Sequence, residues 1–279
     1  MTRYAAIVVL HRSRHELAQL LPTLHADQLI VVDTGPDDGG AQLARDHGAE
    51  LIERRDNPGF GAANNLALER VRQPVTILLN PDVIVHGDAL ERLTERAHRP
   101  GLHAPRLLNA DGSVQRSAHP VPGTLGAFLP ALIHPPLLPK PIRDRLEPYR
   151  ADSSRTVGWA IAACLAARTP MPRFDPAIHL FAEDMDLCLR ARAEGLPTHY
   201  HPDIVITHTG RHSVHDEPFQ TLARERRDTI ARTRGTTAQR LDDAAQLLTF
   251  ATRAAAKFPH NERERAQLGA LLKAVRPGS

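Results

Sequence analysis

The sequence predicts an α/β chain: a doubly wound, mostly parallel sheet flanked by helices, followed by a C-terminal helical extension. Three observations predict it. Apolar runs of strand length, rich in Val, Ile and Leu, recur through the N-terminal part. They are continuous rather than alternating, as strands covered on both faces require. Stretches with apolar residues at helical spacing separate them, so strand and helix alternate at the pace of βαβ units, whose right-handed crossovers favour a doubly wound sheet.

The elements follow in order. Ala5–Leu10 is the first strand, and Arg14 to Leu24 is a helix ending near Pro22. Leu29–Asp33 is the second strand; Asp38 can cap a helix running to about His47, with Gly48 as its stop. A short strand, Ala49–Glu53, leads through a glycine-rich turn into a helix over Ala62–Arg70, and Val75–Leu79 is the fourth strand. Asn109-Ala110-Asp111-Gly112 has the composition of a hairpin turn between Leu107 and Val114. Residues 120–149 are rich in proline and carry the apolar stretch Phe128 to Ile133, which suits a long excursion of the kind used as a lid or binding loop. Val157–Ala167 is a buried strand, Phe181–Ala193 an amphipathic helix stopped by Gly195, and Thr198–Thr207 a further strand. Beyond His215 the pattern is two or three helices, broken at Pro259.

Composition narrows the class. The 279 residues are 42% hydrophobic and 24% charged, the balance of a globular protein. A net charge of +3 is too small to argue for nucleic acid. Cys164 and Cys188 lack metal-ligand spacing and cannot build a disulfide framework, which points to a reduced, cytoplasmic compartment. Neither the short apolar run at the start nor any later segment reaches membrane-spanning length. Basic residues crowd the C-terminal part, with Leu241, Leu247, Leu248 and Phe250 among them. That pattern suits a solvated helical face, packing on the domain or a homodimer partner, or peripheral contact with anionic lipid at the inner face of the plasma membrane.

Five clusters that could carry chemistry fall at or just beyond strand ends, where open α/β sheets bind ligands. Asp33 opens an acidic turn after the second strand and could accept hydrogen bonds from a base or ribose; an ordinary capped turn explains it equally well. Asn57, Gly59, Gly61 and Asn64 surround a helix start whose backbone N–H groups could approach an anion, although Asn64 stands where a dinucleotide fingerprint needs its third glycine. Asn80-Pro81-Asp82 ends the fourth strand with a carboxylate that could hold one hard cation. Glu183 and Asp184 open a helix whose dipole favours acids, and their adjacency would raise a carboxyl toward general-base range. His208 and Arg211 follow the last strand and could meet a metal or a diphosphate.

In this order and placement the clusters resemble the inverting family 2 glycosyltransferases of GT-A fold, with closest likeness to the rhamnosyltransferase branch, over Ala5 to Ser213. The resemblance implies a GT-A domain over residues 1–214, with a nucleotide-sugar half (1–100), an acceptor half (101–214) holding the Pro-rich loop 120–149, and a helical extension over 215–279. It implies that Asp33, matching with Asp38 the acids of an Asp-Asn-x-Ser-x-Asp motif, contacts the nucleotide base. Asn57, Gly59, Gly61, Asn64, Asn80 and Arg211 are its nucleotide-sugar contacts, Asp82 and His208 its holders of Mg²⁺ or Mn²⁺, and Glu183-Asp184 its catalytic pair with Asp184 as base. Thr34 and Pro36 depart from the motif after the second strand, and His11-Arg12 from the usual Tyr-Asn after the first. The implied partners are a nucleotide-diphosphate sugar, with dTDP-rhamnose the best match to the branch, and a glycan, lipid-linked or small-molecule acceptor. Three other readings stay open on the residues alone: a nucleotidyltransferase acting on sugar phosphates, a dinucleotide-dependent oxidoreductase, and a non-catalytic nucleotide-sugar-binding protein. The first would need a basic, glycine-rich loop after the first strand, which is missing; the second would need its glycine loop there rather than after the third.

Overall fold

A computed structural model describes residues 3–133, 135–210 and 219–275. The strands are β1 (Tyr4–Leu10), β2 (Gln28–Asp33), β3 (Glu50–Glu53), β4 (Val75–Leu79), β5 (Val83–Val85), β6 (Leu102–Leu108), β7 (Ala118–His119), β8 (Arg155–Val157), β9 (Trp159–Ala160), β10 (Cys164–Arg168) and β11 (Thr198–His208). The helices are α1 (Arg14–Leu20), α2 (Gly40–Asp46), α3 (Phe60–Leu68), α4 (Ala89–Arg96), α5 (Leu129–Leu132), α6 (Lys140–Leu146), α7 (Glu183–Ala193), α8 (Phe219–Arg234), α9 (Thr236–Ala256) and α10 (Glu262–Val275).

The main sheet runs β3-β2-β1-β4-β10-β6-β11-β5, with β8 paired to β11. Its first four strands are mutually parallel, as the βαβ pattern requires. The β10 strand then enters antiparallel between β4 and β6, while β6 and β11 run parallel. Every residue of β1 is buried, and alternate ones serve opposite layers. Ala6, Val8 and Leu10 join Leu17 and Leu20 of α1 and Leu90 and Leu93 of α4. Ile7 and Val9 join Ala63 and Ala67 of α3 and Leu187 and Cys188 of α7. That double covering is why the apolar runs are unbroken, each buried Ile or Leu contributing about 1.5–3 kcal/mol.

Two expectations need correction. Residues 157–167 do not form one strand: the chain makes β8, β9 and β10 in turn. Gly158 donates its N–H to His119 O, and β9 leaves the main sheet to pair with β7. An apolar run alone does not say which neighbour supplies the hydrogen bonds. The helix expected from Phe181 begins at Glu183, because Phe181 and Ala182 hold positive φ of 69° and 62°.

Contacts divide the chain into two units, Met1–His119 with Tyr149–Ser213, and Pro120–Pro148 with Val214–Ser279. The Pro-rich segment therefore groups with the C-terminal helices and not with the acceptor half where the sequence reading put it. In that second unit α5 packs on α9, and α8, α9 and α10 pack mutually. Buried Asp242 ties it together, accepting two hydrogen bonds from Arg226 and one from the backbone N–H of Gly123. Leu241, Leu247, Leu248 and Phe250 are half-buried there. The exposed large apolar side chains of this unit are instead Leu125, Leu132, Ile133, Leu137 and Ile142 of the Pro-rich segment, with Leu222, Phe258 and Leu272. No helix among the described residues is long and apolar enough to cross a membrane.

Candidate active site

A cleft of about 280 Å³ opens at the C-terminal ends of β1, β2 and β4, and Asn57, Gly59, Asn80 and Asp82 line it. These four candidates from two separate sequence clusters thus share one cavity. His11, Ser13 and Glu16 complete one wall, Thr34 another, and His179 and Leu180 a third.

The fourth strand ends where it does because Pro81 cannot extend a ladder. The turn hands Asp82 to β5, whose antiparallel pairing with β11 sets Val83 opposite His208. That register brings together two residues far apart in the chain: His208 Nε2 lies 3.3 Å from Asp82 Oδ1, with the side chains 12% and 8% exposed. Gly210 N–H donates to Asp82 Oδ2 at 3.0 Å, and Thr209 donates through both N–H and hydroxyl to the Asp82 carbonyl. Burial alone would raise the Asp82 carboxyl, but the His208 imidazole and the Gly210 N–H outweigh it and hold it below the usual carboxylate range. Asn80 Nδ2 sits 3.3 Å from the same His208 nitrogen.

Ligand atoms about 2.1 Å from a six-coordinate cation lie about 3 Å apart when adjacent, so the Asp82–His208 spacing fits two ligands of one ion. Among the described residues no group of three or more His, Cys, Asp or Glu could enclose a metal. The donor set therefore suits an ion that takes its remaining ligands from phosphate oxygens and water.

Gly59 has φ of +90°, and a Cβ there would stand 2.2 Å from the carbonyl oxygen of His179. It is thus required by the close approach of the His179–Leu180 loop, which brings that loop to the cleft. Gly61 is required by packing: a Cβ would meet the Phe174 side chain at 2.8 Å. Asn64 is buried, and its amide donates to Phe60 O within α3. Neither Gly61 nor Asn64 lines the cleft.

Asp33 is 1% exposed. Its carboxylate accepts the Gly35 N–H at 3.1 Å and pairs with Arg55 at 3.1 Å. Burial raises this carboxyl, with Gly35 and Arg55 pulling the other way. The next residue, Thr34, lines the cleft. Asp38 accepts N–H groups from Gly40 and Arg14, tying the starts of two helices.

Asp184 stands in the first turn of α7, four residues past Leu180, and is half-buried; Glu183 is buried. Neither lines the cleft directly. Burial raises the Asp184 carboxyl to about 6, against the N–H groups of Met185 and Ala162, which favour its charge. The Met185 N–H···Oδ1 distance is 2.7 Å. The paired left-handed residues Phe181 and Ala182 aim this turn, and such strained backbone clusters at functional sites. Asp186 belongs to the fold: it is buried and pairs with Arg190 at 2.6 Å. Arg211 lies outside the described residues.

Sequence reasoning missed Arg55, His179 and Gln115. Gln115 accepts a hydrogen bond from His208 at 2.9 Å. Only the hairpin turn preceding it was legible, and hairpin chemistry does not say which strand lies alongside.

The strand order and the cleft at the sheet's carboxyl ends are those of the GT-A fold. The model for "Glycosyl transferase family 2" matches residues 5–118. The chain is 27% identical over 244 residues to the N-acetylglucosaminyl-diphospho-decaprenol L-rhamnosyltransferase of Mycobacterium tuberculosis, covering 78% of each. Among solved structures it is similar to S. aureus TarS 1–349, with a TM-score of 0.55 and 14% identity over 98% of this chain and 81% of that one. It is also similar to the mannosyltransferase PcManGT of Pyrobaculum calidifontis in complex with GDP-Man and Mn²⁺, with a TM-score of 0.58 and 13% identity over 98% of this chain and 85% of that one. Residues 5–118 thus match the glycosyltransferase family 2 model, the relative over 78% of the chain is a sugar transferase, and the fold is GT-A; these matches favour glycosyl transfer over the nucleotidyltransferase and oxidoreductase readings.

Proposed function

We propose that the enzyme transfers L-rhamnose from dTDP-L-rhamnose to a hydroxyl of a lipid-linked glycan, with inversion at the anomeric carbon. The observation that carries the catalytic part is the 3.3 Å approach of His208 to Asp82 at the cleft that Asn57, Gly59 and Asn80 also line. Asp82 and His208 would hold Mg²⁺ or Mn²⁺, which when bound neutralises charge on the departing diphosphate. Asn80 and the loop around Asn57 and Gly59 would bind and orient the diphosphate. Asp33, braced by Arg55, and Thr34 would flank the nucleoside. Asp184 would accept the acceptor's hydroxyl proton as its oxygen attacks; a carboxyl raised to about 6 is ionised at neutral pH yet basic enough to take that proton. Sugar and acceptor rest on the relative, whose name specifies an L-rhamnosyltransferase and a diphospho-decaprenol carrier.

The test is a panel of nucleotide sugars titrated with and without Mn²⁺, followed by transfer to a synthetic polyprenyl-diphosphate glycan. Metal-dependent binding of dTDP-rhamnose above UDP- and GDP-sugars supports the reading; preference for another donor sinks the rhamnose assignment.

We further propose a cytoplasmic enzyme peripheral to the inner face of the membrane. Support comes from Leu125, Leu132 and Leu137, which are 75%, 69% and 77% exposed, on a segment that also carries exposed Lys140 and Arg145. Flotation with anionic vesicles should capture the wild type and lose a Leu132→Ser/Leu137→Ser variant. Equal capture of both would refute it.

A further inference from the structure

The hairpin after β6 carries a chain of hydrogen bonds from a surface carboxylate to His208, and each link has one possible direction. Asp111 receives both the N–H and the hydroxyl of Ser113 on Oδ1, at 2.9 and 2.6 Å. These bonds hold the Asp111 carboxyl below its usual range, so it is ionised and only accepts. The Ser113 hydroxyl, having donated its hydrogen, can only accept from Asn109 Nδ2 at 2.9 Å. That fixes the Asn109 amide with Oδ1 toward Gln115, whose Nε2 donates to it at 3.0 Å and more weakly to His208 O at 3.4 Å. Gln115 Oε1 therefore faces His208 Nδ1 at 2.9 Å, and Nδ1 must carry the hydrogen. On the other side, His208 Nε2 lies 3.3 Å from both the donor Asn80 Nδ2 and the acceptor Asp82 Oδ1, so it is the Gln115 side that fixes the hydrogen on Nδ1.

We propose that Gln115 is a positioning residue: backed by Asn109, Ser113 and Asp111, it accepts the hydrogen bond from His208 Nδ1 and so orients the ring with Nε2 aimed at Asp82. The inference rests on the reading of Asp82 and His208 as metal holders for its purpose, but not for its test. Partners of this kind behind a ligating histidine change metal affinity by roughly tenfold to hundredfold. The backbone seats the hairpin independently, through Gln115 N–H to Leu107 O and Asn109 N–H to Ser113 O, so the turn should survive loss of the Gln115 side chain.

The experiment is long-range ¹H–¹⁵N NMR on full-length, metal-free enzyme labelled at histidine, at alkaline pH where imidazoles are neutral. The His208 ring is assigned by its disappearance in His208→Gln. Wild type should show the Nδ1–H tautomer. Gln115→Leu should shift the population toward Nε2–H and weaken Mn²⁺ binding roughly tenfold or more in the presence of nucleoside diphosphate. Gln115→Glu, which still accepts from Nδ1, should keep the wild-type tautomer. A wild-type Nε2–H ring, or a Gln115→Leu protein with unchanged tautomer, overturns the proposal. A wild type with the Nδ1–H ring but no affinity for Mn²⁺ would instead sink the metal assignment and leave the role of Gln115 standing.

Discussion

Replacing Asp184 by asparagine should stabilise the enzyme while disabling it. Burial raises the Asp184 carboxyl from 3.8 to about 6, which corresponds to a penalty on the order of 3 kcal/mol for carrying the charge in the folded state. A carboxyl raised on folding costs nothing below its unfolded value, and the penalty grows as pH climbs through the window from 3.8 to about 6. Asparagine is neutral throughout, so Asp184→Asn should gain on wild type as pH rises. It keeps one acceptor oxygen for Met185 N–H but turns an amide N–H₂ toward the surroundings of the other, which returns part of the gain; about 1–2 kcal/mol should remain. Urea unfolding followed by circular dichroism at about pH 8 and about pH 4 reads this directly, with the difference present at the first and absent at the second. Transfer should fall by about 10²–10⁴-fold, the usual worth of a general base. A variant no more stable than wild type at the higher pH, or a difference independent of pH, would show that the Asp184 carboxyl is not held in a charge-averse position. A variant that retains full transfer would remove it from the mechanism.

Further outcomes follow from the same coordinates. In wild type, kcat/KM should decline as pH drops through about 6, because the ionised Asp184 is the competent form; a flat acid limb in a steady-state pH profile contradicts the base assignment. Asp82→Ala should abolish the Mn²⁺-dependent part of nucleotide-sugar binding in calorimetry, and unchanged metal-dependent affinity would exclude Asp82 from the site. Gly59→Ala places a methyl 2.2 Å from a backbone carbonyl at φ +90°, so a loss of about 1–3 kcal/mol in stability with raised donor KM is expected. Thermal unfolding of that variant matching wild type would mean that the His179 loop yields at little cost. Arg226→Ala leaves the buried Asp242 carboxylate without its bidentate partner and should cost about 3–5 kcal/mol within the second unit. Hydrogen exchange should report that loss in α8 and α9, and unchanged protection there would refute it.

Much of the first unit was legible because its determinants are local. Continuous apolar runs marked β1, β2 and β4, and the spacing between them left little choice but parallel strands with crossovers. Val75–Leu79 was bounded correctly because Pro81 stops the ladder by its own chemistry. The candidates that share the cleft, Asn57, Gly59, Asn80 and Asp82, were visible because each follows a strand at its carboxyl end.

What the residues could not say by themselves is which distant segment each would meet. His208 reaches Asp82 only through the β5–β11 register, and Gln115 reaches His208 only because β6 lies parallel to β11. Gly59 and Gly61 looked like a phosphate loop, and in the fold each makes room for a neighbouring segment, His179 and Phe174. The run 157–167 could have been one strand until β7 claimed β9. Periodicity and turn chemistry are properties of a few consecutive residues, and the sequence determines them unaided. Register, burial and the ordering of hydrogen-bond donors and acceptors depend on pairing across the sheet, so only the assembled tertiary structure decides them.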